Sequence, residues 1–280
     1  MNTFFLDRLN SEPHALAFAG QSTPWPVALA DQSANPALDE ALHTHAAAAQ
    51  ALLYPVSAEL LATTGRPVDL FGFEPNPARL GAAAAASASV PGIALTQLGA
   101  LLDAAALGYN PAQAKPVAVL GHSQGVLAVH MVQAICEAGS IDAAAAKIDE
   151  ILAIATLIGV AGTRQARQLG LAARHGEATP MLSVKDITRA QVDALIERVD
   201  GARGPIAVAV TNSATHYVLS GYPEDLAAFG VEVAKEHKRQ AKLREEKVRG
   251  GRVFDPTLEY LDVTLPFHSP LMADAVSQDR

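Results

Sequence analysis

The stretch that most constrains this chain is PVAVLGHSQG, from Pro116 to Gly125, followed by an apolar, helix-like segment to about Glu137. A short, continuously apolar run such as PVAVL has the form of a strand buried on both faces of a parallel sheet. Gly121 and Gly125, two places either side of Ser123, allow the sharp strand-to-helix turn that leaves a serine hydroxyl exposed at a helix N-terminus. There Ser123 is a candidate nucleophile. The N–H of Gln124, at the same helix end, would point at the oxygen of a bound carbonyl and stabilise charge developing on it. A bare GxSxG also occurs as an ordinary tight turn, so the flanking strand and helix carry the catalytic reading.

A nucleophilic serine needs a base within hydrogen-bond reach, and the chain has nine histidines. His43 and His45 fall in a polar-faced helix and read as solvated. His122 adjoins the serine and the turn directs it elsewhere, while His130 lies down the following helix. His175 and His237 stand in charged stretches, and His216 is on a predicted strand. His268 differs, because Pro266 and Pro270 bracket it in LPFHSPLM, a rigid loop of the kind that delivers a base from a distant segment.

Around these residues a short strand, Ala15 to Phe18, runs into Gly20 and Gln21. Helical patterning covers about Ala37 to Thr64 and Ile93 to Leu107. From Pro180 the texture changes. Strands are expected at Met181 to Val184, Ile206 to Val210, His216 to Ser220 and Leu258 to Leu265, with one helix opened by Thr188 and another from Pro223 to about Arg244. This β-α-β-β-α-β order is ferredoxin-like.

Half of the 280 residues are hydrophobic and 18% are charged, which excludes a disordered chain. The net charge of −8 argues against an evenly basic nucleic-acid-binding surface. The one dense basic stretch, Lys235 to Arg252, could attract phosphates, but interleaved glutamates favour a solvated helix face. With Cys136 as the only cysteine, neither a disulfide framework nor a cysteine-based zinc site can form, and no metal is expected. The apolar run Ile151 to Gly162 is short of the ~20 residues that span a bilayer and reads as a buried helix, so no membrane partner is expected. The N-terminus lacks the pattern of a secretory signal, which makes a cytoplasmic location the default expectation.

Four motifs, in order, carry a family resemblance: AFAGQ (Ala17 to Gln21), GHSQGVLA (Gly121 to Ala128), TNSATHYVLSG (Thr211 to Gly221) and LPFHSPLM (Leu265 to Met272). With PMLSVKDIT (Pro180 to Thr188), they resemble the acetyltransferase domain of microbial type I fatty acid synthase, in its actinobacterial and fungal branch. The resemblance implies an α/β fold: an α/β-hydrolase-like core with a parallel sheet, residues 1–176 and 265–280, and an inserted ferredoxin-like subdomain, residues 177–264. It also implies that the core is incomplete at Arg280, since the family's fold continues and a later backbone carbonyl orients the catalytic histidine.

Carried over by position, Ser123 would be the nucleophile and His268 the general base and acid, with no triad aspartate. The backbone N–H groups of Gln21 and Gln124 would form the oxyanion hole. The implied reaction takes acetyl from acetyl coenzyme A to a serine ester and then to the phosphopantetheine thiol of acyl carrier protein. Coenzyme A thioester is thus a substrate, and no cofactor is held permanently. Other synthase domains and a large homo-oligomer are the implied partners. Relatives that take malonyl groups hold the carboxylate with an arginine on the helix that here reads IDEILAIATLIGVAGTR. Ile158 aligns with that arginine, so a neutral acyl group is expected in a pocket completed by Phe267. A one-turn shift would give the role to Arg164 instead. A malonyl or other acyl transferase, a serine thioesterase or hydrolase, and an inactive scaffold fragment are the alternatives. A hydrolase would need a triad Asp or Glu between serine and histidine, an interval occupied by the ferredoxin-like pattern.

Overall fold

The computed structural model describes residues 8–21, 24–64, 82–171, 178–245 and 254–277. The chain divides into two compact units, Met1–Leu80 with Ala84–Thr163, and Gly81–Ala83 with Arg164–Arg280.

The first unit contains β1 (Ala15–Phe18), α1 (Trp25–Ser33), α2 (Pro36–Leu52), α3 (Ser57–Thr64), α4 (Ala82–Ala106), β2 (Ala118–Gly121), α5 (Val126–Ala138) and most of α6 (Ala145–Gln168). Asn35 starts α2: its side chain accepts from the Ala37 N–H, and Pro36 takes the first helical position, where no N–H is needed. The single helix expected to Thr64 is broken at Tyr54–Val56, because Pro55 cannot donate to the preceding turn. α5 ends at Gly139, whose φ of 89° is the left-handed conformation that closes many helices. α4 starts earlier than Ile93 and carries Pro91 within it. Its segment Ala86–Ala106 is long and apolar enough to cross a membrane, but 67% of that window is buried inside the protein, as in a core helix.

Leu42, Leu98, Met131, Ile148 and Leu152, spaced along α2, α4, α5 and α6, are fully buried. Their burial supplies the apolar stabilisation of this unit. β1 and β2 pair in parallel, Ala15 opposite Ala118 through Phe18 opposite Gly121. The expectation that PVAVL is buried on both faces does not hold, since Val117 and Leu120 are exposed. Among the described residues this sheet has two strands, so β2 has a neighbour on one side only. The Ile151 to Gly162 segment is likewise only partly buried. Ile151, Leu152 and Ala155 face inward, whereas Ile154, Leu157 and Ile158 form an exposed stripe at helical spacing.

The second unit contains β3 (Met181–Lys185), α7 (Arg189–Ile196), β4 (Ala207–Ser213), β5 (His216–Ser220), α8 (Pro223–Glu245), β6 (Thr257–Tyr260) and α9 (Ala273–Ser277). Its strands are ordered β4-β5-β3-β6 with every pairing antiparallel, which is the arrangement a ferredoxin-like β-α-β-β-α-β order produces. Thr188 and Gln191 form a reciprocal capping box that starts α7. Because side chains alternate along a strand, Leu182, Val184 and Leu219 join Val192, Leu226 and Phe229 on one face of the sheet. Met181 and Val218 point the other way, to Val263, with Phe267 packed against them.

The last strand is shorter than expected. Leu261 N–H still donates to Met181 O at 3.0 Å, but Val263 N–H then donates back to Leu261 O at 2.7 Å, which turns the chain off the sheet. By their contacts, residues 265–277 belong to the second unit. Gln165 Nε2 donates to Leu271 O at 2.9 Å, and Phe267 lies on the Met181 and Val218 face.

Candidate active site

The parallel register brings the C-terminal ends of β1 and β2 side by side, and His122 N–H donates to Phe18 O at 2.9 Å. Ser123 comes next at φ 52°, left-handed geometry that a non-glycine residue adopts only when its surroundings impose it. A short 3-10 turn, Ser123–Gly125, then leads into α5. Strand, strained serine and helix thus occur in the predicted order.

Three glycines make this turn possible, each by lacking a side chain. A Cβ on Gly121 would lie 2.5 Å from Gly125 C, and one on Gly125 would strike the Phe18 carbonyl and stop 3.0 Å from Ala19 O. A Cβ on Gly20 would stop 2.6 Å from His122 O, 3.1 Å from Ser123 Cβ and 3.3 Å from Gln124 N. Real Cβ atoms do not approach backbone at 2.6 Å, so Gly20 is in direct contact with the serine turn. The segment carrying the Gln21 N–H therefore runs beside the one carrying the Gln124 N–H.

A chain of side-chain hydrogen bonds ties the two segments together. Ser89 Oγ donates to Gln21 Oε1 at 3.3 Å, Gln21 Nε2 donates to Gln124 Oε1, and Gln124 Nε2 donates to Val90 O. Gln97 Nε2 donates to Ala19 O at 2.6 Å. Ser89, Val90 and Gln97 all belong to α4, and the motifs of the sequence point to none of them. The one signal for them is Gln97 itself, an amide within the apolar helical run IALTQLGALL.

In the second unit, His268 is exposed and has a φ of 56°. Its loop is held on both sides. Phe267 N–H donates to Leu265 O at 2.9 Å, Ser269 Oγ to Pro266 O at 2.6 Å, and Met272 N–H to Ser269 O at 3.0 Å. Leu265 is fully buried, which anchors the approach to the loop. Phe267 is half-buried next to the histidine. Ile158 lies on the exposed stripe of α6, 42% accessible.

The other histidines divide differently from the sequence reading. His43 is exposed, 3.7 Å from Asp39, but His45 is largely buried, with Nδ1 2.6 Å from Asp149 Oδ1. His216 Nε2 lies 3.1 Å from Ser183 Oγ, and His237 Nδ1 lies 2.7 Å from Phe254 O. In the basic stretch, Arg239 pairs with Glu236 and Lys235 with Glu232, and Arg198, just past α7, pairs with Glu236 as well. The cations are exposed, as a solvated helix face requires, but Glu236 itself is buried beneath them. The part of this stretch from Glu246 to Arg252 lies outside the described residues, as does His175.

Residues 180–260 match the family model described as the fatty acid synthase central AT domain. The fatty acid synthase subunit beta of Schizosaccharomyces pombe is 27% identical over 209 residues, 67% of this chain and 10% of that protein. The fatty acid synthase beta subunit hexB of Dothistroma septosporum is 27% identical over 164 residues, 54% of this chain and 8% of that protein. The chain thus spans only about a tenth of the length of these relatives. Among solved structures, the malonyl CoA-acyl carrier protein transacylase of Coxiella burnetii aligns with a TM-score of 0.56 at 20% identity, over 95% of this chain and 66% of that one. A malonyl-transacylase in complex with a type II PKS acyl-carrier protein aligns at 0.55 and 16% identity, over 95% and 68%. The structures bear out the α/β fold. The family match and the fungal relatives bear out the resemblance to a fatty acid synthase acyltransferase domain.

Proposed function

We propose that this chain, which is similar over 67% of its length to a fatty acid synthase beta subunit, transfers a short acyl group from a coenzyme A thioester, through an ester on Ser123, to the phosphopantetheine thiol of an acyl carrier protein. The observation that carries the reading is the strained Ser123 turn with Gly20 pressed against it, because such a turn exposes a hydroxyl beside two backbone donors.

In the first half-reaction His268 accepts the Ser123 proton as Oγ bonds to the thioester carbon. The carbonyl electron pair moves onto oxygen, where the N–H groups of Gln21 and Gln124 stabilise it. Collapse breaks the carbon–sulfur bond, and the departing thiolate takes the proton from His268. In the second half-reaction His268 deprotonates the carrier thiol, sulfur attacks the ester carbon, and Ser123 leaves with the proton. No resident cofactor enters these steps. On this reading the chain works beside other fatty acid synthase domains in a cytoplasmic multienzyme of many copies.

Acetyl is the acyl group favoured here. By the family resemblance of the sequence, Ile158 takes the place of the arginine that pairs with a malonyl carboxylate, and an unpaired carboxylate is costly to desolvate. Malonyl is the second reading, because the two solved structures of similar fold described above are malonyl transacylases.

Incubation with radiolabelled acetyl coenzyme A, then peptide mapping and chase with holo-carrier protein, tests the proposal. A label on the Ser123 peptide that moves to the carrier is expected, and it disappears in Ser123→Ala. Label elsewhere overturns the mechanism, and turnover to free acetate without carrier indicates a hydrolase. Equal loading of malonyl coenzyme A overturns the acetyl preference.

A further inference from the structure

We propose that Gln97 is a positioning residue for the oxyanion hole, acting through the Ala19 carbonyl to aim the Gln21 N–H. This inference rests on the acyl-transfer reading of Ser123 above.

Gln97 is more than nine-tenths buried in α4, an expensive place for a carboxamide. Its Nε2 donates to Ala19 O at 2.6 Å, and its Oε1 is buried with no hydrogen-bond partner among the described residues. As a purely structural device this is a poor one, because half of the amide's bonding capacity is forfeited where an apolar side chain would fill the space at no such cost. The one bond it does make falls on a particular peptide. Ala19 O belongs to the peptide that leads into Gly20, and Gly20 is the residue in contact with Ser123.

Glycine leaves both flanking peptides freer to rotate than any other residue does. The glycine is required by the 2.6 Å approach to His122 O, so the orientation of the following N–H must be set from outside. Gln97 donates to the Ala19 carbonyl, and Gly125 packs so close to the same oxygen that a Cβ there would stop 3.0 Å from it. With Ala19 held, the Gly20 torsions alone decide where the Gln21 N–H points. The bond from Ser89 Oγ to Gln21 Oε1 fixes the far end of the same short segment.

Gln32 provides an internal control. It too is an amide with a buried, unpartnered Oε1, and its Nε2 donates to a backbone carbonyl, Thr96 O, at 2.9 Å. That carbonyl opens the peptide to Gln97, but it lies within α4, whose own backbone hydrogen bonds already hold it.

The test compares Gln97→Met, which keeps volume and removes the donor, with Gln32→Met, in the 280-residue chain. Thermal melts establish folding, and single-turnover acetylation of Ser123 is followed across acetyl coenzyme A concentrations. Gln97→Met is expected to lower the maximal acetylation rate about 10- to 100-fold with the half-saturating concentration unchanged, the scale for a misplaced catalytic group. Gln32→Met is expected to acetylate at the wild-type rate. Should the methionine variant not fold, Gln97→Ala is read in the same way. Wild-type acetylation rates in the folded Gln97 variant, or equal slowing in Gln32→Met, overturn this inference alone. A wild-type chain that never acetylates Ser123 overturns the transferase reading and this inference with it.

Discussion

Gly20 lies so close to Ser123 that a methyl group on its Cα would stop 3.1 Å from the serine Cβ and 2.6 Å from the preceding carbonyl oxygen. Two segments about a hundred residues apart in sequence are in contact because β1 and β2 pair in parallel and end level with one another.

Gly20→Ala should therefore damage the turn. The nearest atom is backbone and cannot swing aside, so a stability loss of about 1–3 kcal/mol is expected. Ser123 labelling should fall further than that loss explains, because the oxyanion donors are displaced. Denaturant unfolding and acylation rate, measured together, check both parts.

Ser123→Gly should raise the melting temperature while abolishing ester formation. The serine holds a φ of 52°, left-handed geometry that costs a non-glycine residue roughly 1 kcal/mol and costs glycine almost nothing. A calorimetric scan showing a lower midpoint than wild type would contradict the idea that the turn is strained for function.

Ile158→Arg should increase malonyl loading relative to acetyl. Its position on α6 is 42% accessible, so a guanidinium can be placed there without full burial. A charged hydrogen bond to the free carboxylate corresponds to about a tenfold change in preference. Competition between the two thioesters, with one radiolabelled, provides the measurement, and an unchanged ratio would show that this residue does not face the acyl group.

Glu236 on α8 should make stability depend on acid. Hydrogen bonds from Arg239 first, then from Gln240 and Arg198, outweigh the opposing effect of burial and hold its carboxyl at about 2, below the ordinary 4.5. A depressed carboxyl contributes its full stabilisation above the unfolded value and loses it as pH falls through the folded one. The melting-temperature gap between wild type and Glu236→Gln should thus be constant above pH 4.5 and shrink between 4.5 and about 2. A gap that ignores pH across that window would remove the assignment.

The histidines show the limit of local patterning. Both His43 and His45 come within one turn of Leu42 on α2, and their neighbours are equally polar in sequence. His43 is exposed, whereas His45 meets Asp149 from a helix about a hundred residues later. No periodicity within α2 contains that partner. Gln97 is legible in the sequence only as an anomaly, a polar side chain in an apolar run, and its bond to Ala19 O depends on β1 being brought to α4.

Relations among near neighbours are written in the sequence itself: the strand, glycine, serine, glycine, helix succession at Ser123, the capping box at Thr188, and the β-α-β-β-α-β order of the second unit. Each depends on steric limits or hydrogen bonds reaching only a few residues along the chain. The tertiary structure alone decided that Gly20 abuts Ser123, that the side chains of Gln21 and Gln124 are linked, and that α4 supplies their tethers. Those relations depend on strand register and on which buried carbonyl an amide can reach, and both exist only once distant segments have packed together.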